Sequence, residues 1–184
     1  YPSQPVQRVQ ISNNLFYDVS STNWGGDGRL LQLLTTSNAP SDVLYEHNTG
    51  LSNGVAIAMG GQAGAPPITY RDNLVGAGVY GIWGSNAGLG LPALNPYVPN
   101  SVFSTNVFVN NNNYADTWPP ASYYPATSQF APSVAAAGFT DVAAGDYRLA
   151  PASLDVGPEG EKLRLDGLLG RADPGVQSDS ARHR

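Results

Sequence analysis

The chain repeats one arrangement of apolar and polar positions: two apolar side chains at alternate positions, then an asparagine three residues after the second. It reads Val9-x-Ile11-x-x-Asn14, Val43-x-Tyr45-x-x-Asn48 and Ile68-x-Tyr70-x-x-Asn73, with a shortened copy, Phe103-x-x-Asn106. Alternation with a period of two marks a strand with one buried face, and the asparagine falls where such a strand would bend. The asparagines follow one another at steps of 34, 25 and 33 residues. A period of about 20–50 residues signals stacked repeats. With the asparagine as position zero, positions −5, −3, 0 and +2 are expected inside: Val9, Ile11, Asn14, Phe16; Val43, Tyr45, Asn48, Gly50; Ile68, Tyr70, Asn73, Val75; and Phe103, Asn106, Phe108. A second apolar run follows each of the first three bends, at residues 30–34, 55–59 and 79–83, with Gly54 and Gly78 ahead of two of them. Each repeat therefore offers at least two strands.

Asparagine suits the bend on two grounds. It tolerates the left-handed backbone conformation, and its amide both donates and accepts hydrogen bonds, so amides stacked from repeat to repeat would satisfy one another. A β-sandwich would also show short alternating strands, but it gives no reason for asparagine at a fixed offset from each apolar pair. The expected architecture is all-β, a right-handed parallel β-helix (a solenoid) of about four coils over residues 1–151. Long loops and a charged, irregular tail or cap at 152–184 complete it.

The phrases VQISNNLFYDVS, VLYEHNTGLSNGVAIAM, ITYRDNLVGAGVYGI, NVFVNN and FTDVAAGDYRLAP resemble the C-terminal coils of right-handed parallel β-helix proteins of the pectate-lyase-like superfamily. The resemblance spans about residues 6–151. It implies a secreted or cell-surface protein, of bacterial type, that binds or processes polysaccharide. The superfamily's familiar catalytic elements are not found: there is no Gly-His-Gly, no paired aspartates of the polygalacturonase kind and no calcium-binding aspartate cluster.

Composition narrows the partners. The 184 residues carry a net charge of −5, and no basic patch interrupts them, which argues against nucleic acid, where neutralisation of phosphates supplies most of the affinity. No run of residues is apolar and long enough for a membrane span. The absence of cysteine removes disulfides and thiolate metal sites. Charge is concentrated in the tail: residues 1–150 hold 12 charged side chains and the last 34 hold 11. The tail's leucines, Leu163, Leu165, Leu168 and Leu169, form a weak amphipathic pattern broken by Gly167. The chain opens Tyr-Pro-Ser, which reads as a processed or excised piece of something longer.

Stacking strands at about 4.8 Å makes equal offsets into neighbours. Position −2 runs Ser12, Glu46, Arg71, Ser104, and position −1 runs Asn13, His47, Asp72, Thr105. Glu46 is thus expected beside Arg71, and His47 beside Asp72. One reading is an exposed ion pair with a histidine nearby, which contributes about 0–1 kcal/mol. The other is a catalytic group for lyase-type elimination or glycoside hydrolysis, with His47 as a base oriented by Asp72, Arg71 on a substrate carboxylate and Glu46 as a second acid. No metal site is assigned, and no motif names a cofactor.

A second set of candidates is aromatic. Trp24, Trp83, Tyr114, Trp118, Tyr123 and Tyr124 lie in or beside loop segments rich in glycine, proline and amides, where flat rings either stack on sugars or fold back as lids on the core. Residues 84–100, rich in glycine, leucine and proline, form a further excursion. The glycine-rich segment Trp24-Gly25-Gly26-Asp27-Gly28-Arg29 lacks the Lys-Ser/Thr of a phosphate loop and reads as a turn. The alternative to polysaccharide binding is a structural or adhesive module without catalysis, which associates end to end through its open edges.

Overall fold

A computed structural model describes residues 4–112 and 121–150. The chain is all-β, and its repeats lay strands side by side in three separate parallel sheets. The first repeat gives β1 (Gln7–Ser12), β2 (Leu15–Val19), a one-turn helix α1 (Ser21–Trp24) and β3 (Leu31–Thr35). The second gives β4 (Ser41–Glu46), β5 (Thr49–Ser52) and β6 (Ile57–Gly61). The third gives β7 (Ile68–Arg71), β8 (Leu74–Gly76) and β9 (Ile82–Gly84), followed by β10 (Gly88–Leu89) and helix α2 (Leu91–Tyr97). The fourth gives β11 (Val102–Ser104) and β12 (Val107–Val109). A 3₁₀ turn (Ala121–Tyr123), β13 (Gln129–Ala131) and the strands β14 (Phe139–Asp141) and β15 (Asp146–Leu149) close the described chain.

The sheets run β1-β4-β7-β11, β2-β5-β8-β12-β13 and β3-β6-β9, the last extended by β10 in antiparallel pairing. Register follows the offsets of the sequence pattern. Val9 pairs with Val43 and Val43 with Ile68, while Ile11, Tyr45, Tyr70 and Phe103 form the next row. Phe16, Gly50, Val75, Phe108 and Phe130 form the row beyond the bend.

The first bend takes two residues in every repeat, and its second residue is the asparagine. The backbone N–H and the Nδ2 of Asn14 both donate to Oδ1 of Asn48, at 3.0 Å each. Asn48 does the same to Asn73 at 2.9 and 3.2 Å, and Asn73 to Asn106 at 3.1 and 3.0 Å. The second amide proton of each buried member goes to a strand carbonyl of the preceding repeat: Asn48 to Ile11, Asn73 to Tyr45, Asn106 to Tyr70. Asn48, Asn73 and Asn106 are each 1% exposed, so three polar side chains sit in the core with their amides paired. The left-handed residue is not the asparagine but the one before it: Asn13, His47, Asp72 and Thr105 have φ of 61°, 52°, 56° and 53°. That placement corrects the expectation from sequence. The preceding residue makes the turn, which leaves the asparagine to aim its amide along the stack.

The inward rows form one core. Tyr45 and Tyr70 stack with ring centroids 4.9 Å apart, flanked by Phe16 at 6.1 Å and Phe103 at 5.5 Å, and Leu33, Ile57, Met59 and Ile82 pack against them from the third sheet. Gly50 gives Phe16 its room, since a Cβ there would lie 3.0 Å from that of Phe16. At the second bend Gly78, with φ of 59°, lies against Gly54, where a Cβ would meet the Gly54 carbonyl oxygen at 1.8 Å.

Over β8 and β12 the second sheet is buried on both faces. Leu74, Val107, Val109 and Ala131 point outward and are covered by Ala137, Val134, Phe139 and Leu149. The phrase GDYRLAP thus supplies β15 of an antiparallel hairpin laid across a sheet face. Within it, hydrogen bonds from Arg148 hold the Asp146 carboxyl down at about 2. Residues 84–100 likewise differ from an open excursion: β10 turns back on β9, and Ala93, Leu94 and Tyr97 of α2 are buried. The 152–184 tail and its boundary lie outside the described residues.

Two predictions follow from the buried polar groups. Asn73→Ala orphans the backbone N–H of Asn48 and the carbonyl of Tyr45, so urea denaturation should show a loss of roughly 3–5 kcal/mol with an unchanged m-value, against about 1 kcal/mol for Asn14→Ala at the exposed end. The hydroxyls of Tyr45 and Tyr70 have no partner among the described residues, and burial raises both above their ordinary value, Tyr70 also through its neighbour Tyr45. A value raised in the folded state means stability that is intact below about pH 10 and lost as pH climbs beyond it. Tyr45→Phe and Tyr70→Phe should therefore each add about 1 kcal/mol at neutral pH and move alkaline unfolding, followed by tyrosinate absorbance, to higher pH.

Candidate functional site

Where β4, β7 and β11 end, the first sheet presents Glu46, Arg71 and Ser104 in register. The left-handed residue that follows throws its own side chain out of the turn while keeping the backbone ladder intact: His47 N–H donates to the Arg71 carbonyl at 3.4 Å and Asp72 N–H to that of Ser104 at 3.1 Å. Two chemistries are thereby brought to one corner. Arg71 Nη2 bonds Glu46 Oε2 at 2.6 Å, and its Nε lies 3.8 Å from Asp72 Oδ2. His47 stands between the carboxylates, Nδ1 3.9 Å from Glu46 Oε2 and Nε2 3.9 Å from Asp72 Oδ2. The Thr105 hydroxyl donates to Asp72 Oδ1.

The four residues expected to meet do so, and Thr105, one rung further along the same offset row, completes the group. The geometry favours some roles over others. Arg71 gives its Nη2 to Glu46 and is 45% exposed, so a substrate carboxylate would have to take the rest of the fork or displace Glu46. Asp72 is fixed by Thr105, but 3.9 Å exceeds hydrogen-bond reach, so His47 is adjacent to Asp72 without being oriented by it. The imidazole is one-third exposed, its side chain at 34%, with a carboxylate oxygen 3.9 Å from each ring nitrogen.

The aromatic candidates separate. Trp24 ends α1, 76% exposed, with Nε1 donating to Asp18 Oδ2 at 2.8 Å. It edges a cleft of about 430 Å³ shared with Ser20, Asp27, Arg29 and Gln32. The glycine-rich segment is the turn that shapes this cleft. Arg29, which also lines this cleft, pairs with Asp27 at 2.9 Å and lies over Trp83, 5.7 Å from the ring centroid. Tyr123 is exposed elsewhere. Tyr124 is corrected to core: 3% exposed, it packs on Phe108 and Phe130, and its hydroxyl, pushed up to about 12 by burial, donates to the Tyr80 carbonyl. Tyr114 and Trp118 lie outside the described residues.

Two features escaped the sequence pattern. Asp18, with φ of 52°, positions Trp24 and also accepts from Asn23 Nδ2, a contact with no periodic signal. The second bend has amides of its own: Asn111 donates to the Ser52 carbonyl and accepts from Gly78 N–H, and Asn53 accepts from Ser21 N–H. Glycine at position 78 interrupts that row, so no repeat was visible there. Among the described residues no cluster of three or more His, Cys, Asp or Glu is placed to hold a metal ion, and no helix is long and apolar enough to cross a membrane.

Comparison with protein-family models, curated proteins and solved structures gives no match.

Burial sorts these residues by what their loss should do. Arg71→Gln should change unfolding free energy by less than about 1 kcal/mol, as for an exposed pair, and Trp24→Ala by less still, whereas Tyr124→Ala should cost about 3–5 kcal/mol; thermal or urea unfolding of the three variants measures all of these.

Proposed function

We propose that this chain is a polysaccharide-binding module of an extracellular protein, folded as a right-handed parallel β-helix of the pectate-lyase-like kind. Three parallel sheets fed in turn by each of the first three repeats support the winding, and the strong preference for right-handed crossovers between parallel strands supports its hand. The observation that carries the function is the cleft beside Trp24. An exposed indole held by Asp18 borders a hollow with Asp27, Arg29 and Gln32, and Arg29 links it to Trp83. A sugar ring presents an apolar C–H face and a rim of hydroxyls. The indole matches the face, and the carboxylate, guanidinium and amide match the rim.

A second reading, lyase or hydrolase action, draws on the group at Glu46, His47, Arg71 and Asp72. It is favoured by the placement of His47 between two carboxylates, and hydrolysis would use Glu46 and Asp72 as its pair.

A panel of uronate-containing and neutral glycans separates the readings. Binding without product is expected, with Trp24→Ala weakening it by about 1 kcal/mol or more at unchanged circular dichroism and His47→Ala leaving it intact. Absence of binding to every glycan would refute the module. Release of unsaturated product, lost in His47→Ala, would replace it with the enzyme.

A further inference from the structure

The cleft beside Trp24 lies on the side wall of the stack. Gln32, Ala58 and Trp83 stand in register on β3, β6 and β9, and they alternate with the core residues Leu33, Ile57, Met59 and Ile82, so all three face outward. The guanidinium of Arg29 reaches across this row to the Trp83 ring, 5.7 Å from its centroid. The hollow of about 430 Å³ that Trp24 edges meets the same wall at Arg29 and Gln32.

Charge in the cleft is sparse and unevenly exposed. Of the lining residues only Asp27 and Arg29 are charged. They pair at 2.9 Å, with the Arg29 side chain 26% exposed and that of Asp27 66%. The cation is thus the more buried partner, shared between a carboxylate and the Trp83 face, and the anion is the one that meets solvent. Asp18 adds a second carboxylate where it receives Trp24 Nε1 and Asn23 Nδ2. Two carboxylates against one guanidinium leave the neighbourhood net negative. The second and third repeats bring no further cation to this wall: residues 48–70 and 73–112, which include their whole share of it, contain no Asp, Glu, Lys or Arg.

We propose that this cleft takes neutral glycans and turns away uronates, with Asp27 the residue that makes the distinction. This rests on the glycan-binding reading of the cleft and adds to it the class of sugar. A uronate carries a carboxylate on each ring, and to leave water that carboxylate needs a cation with donors to give. Its one candidate here is Arg29, already held by Asp27, and the most exposed charge it meets is the Asp27 carboxylate itself. Like charges set against each other at an interface oppose binding. A neutral ring meets no such barrier. Its hydroxyls donate to the Asp27 carboxylate, whose bond to Arg29 uses Oδ2, and exchange hydrogen bonds with the Gln32 amide, while its C–H face lies on the Trp24 indole.

Two matched pairs of oligosaccharides isolate the charge: a homogalacturonan oligomer against its full methyl ester, and a β-1,4-glucan oligomer against the same chain oxidised to the uronate at C6. Isothermal titration calorimetry on the full chain should show the neutral member of at least one pair bound about tenfold or more tighter than its acid, with an affinity that stays flat between about 0.02 and 0.3 M salt. Trp24→Ala should weaken that binding, which assigns it to the cleft, and Asp27→Asn should narrow the preference by about threefold or more. An acid bound as well as its neutral partner, or a preference that Asp27→Asn leaves equally wide, overturns this proposal while the binding module stands. Failure of all four oligomers and of the wider glycan panel to bind removes the module and this inference with it.

Discussion

Three asparagine side chains with 1% exposure sit in a largely apolar core, and the rest of the stack depends on their staying paired. A buried primary amide is costly when unpartnered and stabilising when each donor and acceptor is met. Here each Oδ1 receives two hydrogen bonds from the repeat before it, each Nδ2 donates to a strand carbonyl, and those of Asn48 and Asn73 donate also to the next asparagine. The ladder fixes the register of the first two sheets. A slip by one residue would break every rung and turn each inward row to solvent.

Because the ladder sets register at one corner, the side chains next to it are positioned as well. The residue preceding each asparagine takes up the turn, so Asn13, His47, Asp72 and Thr105 stand in a row outside the bend. A β-branched residue is poorly suited to positive φ. Thr105 occupies such a position nonetheless, and its hydroxyl donates to Asp72. The charged corner is thus a by-product of fold geometry that carries specific side chains, which is why it can hold an acid–base group without disturbing the core.

What the sequence made legible follows from the same geometry. The first bend is always two residues long, so the offsets around each asparagine never drift, and the inward rows, the amide ladder and the meeting of Glu46 with Arg71 and of His47 with Asp72 could all be read by counting. The other corners vary. Helix α1 fills the second corner of the first repeat, and β10 with α2 fills the third corner of the third. No period survives those insertions, and so the burial of Tyr97 and Tyr124, the coupling of Trp24 to Asp18 and of Arg29 to Trp83, and the second row of amides at Asn53 and Asn111 were beyond reach. The buried outer face of the second sheet was hidden for another reason: its cover comes from β14 and β15, distant in sequence and outside the repeat.

The unequal steps between asparagines have a consequence for how such a chain changes. Growth or shrinkage of a repeat is absorbed at corners remote from the row beside the ladder, so residues there stay one rung apart however long the intervening loops become. Length and surface chemistry are therefore separate freedoms. Loops can be rebuilt to shape a cleft such as that beside Trp24 while the polar row is varied one side chain at a time, and neither alteration disturbs the spacing on which the other relies.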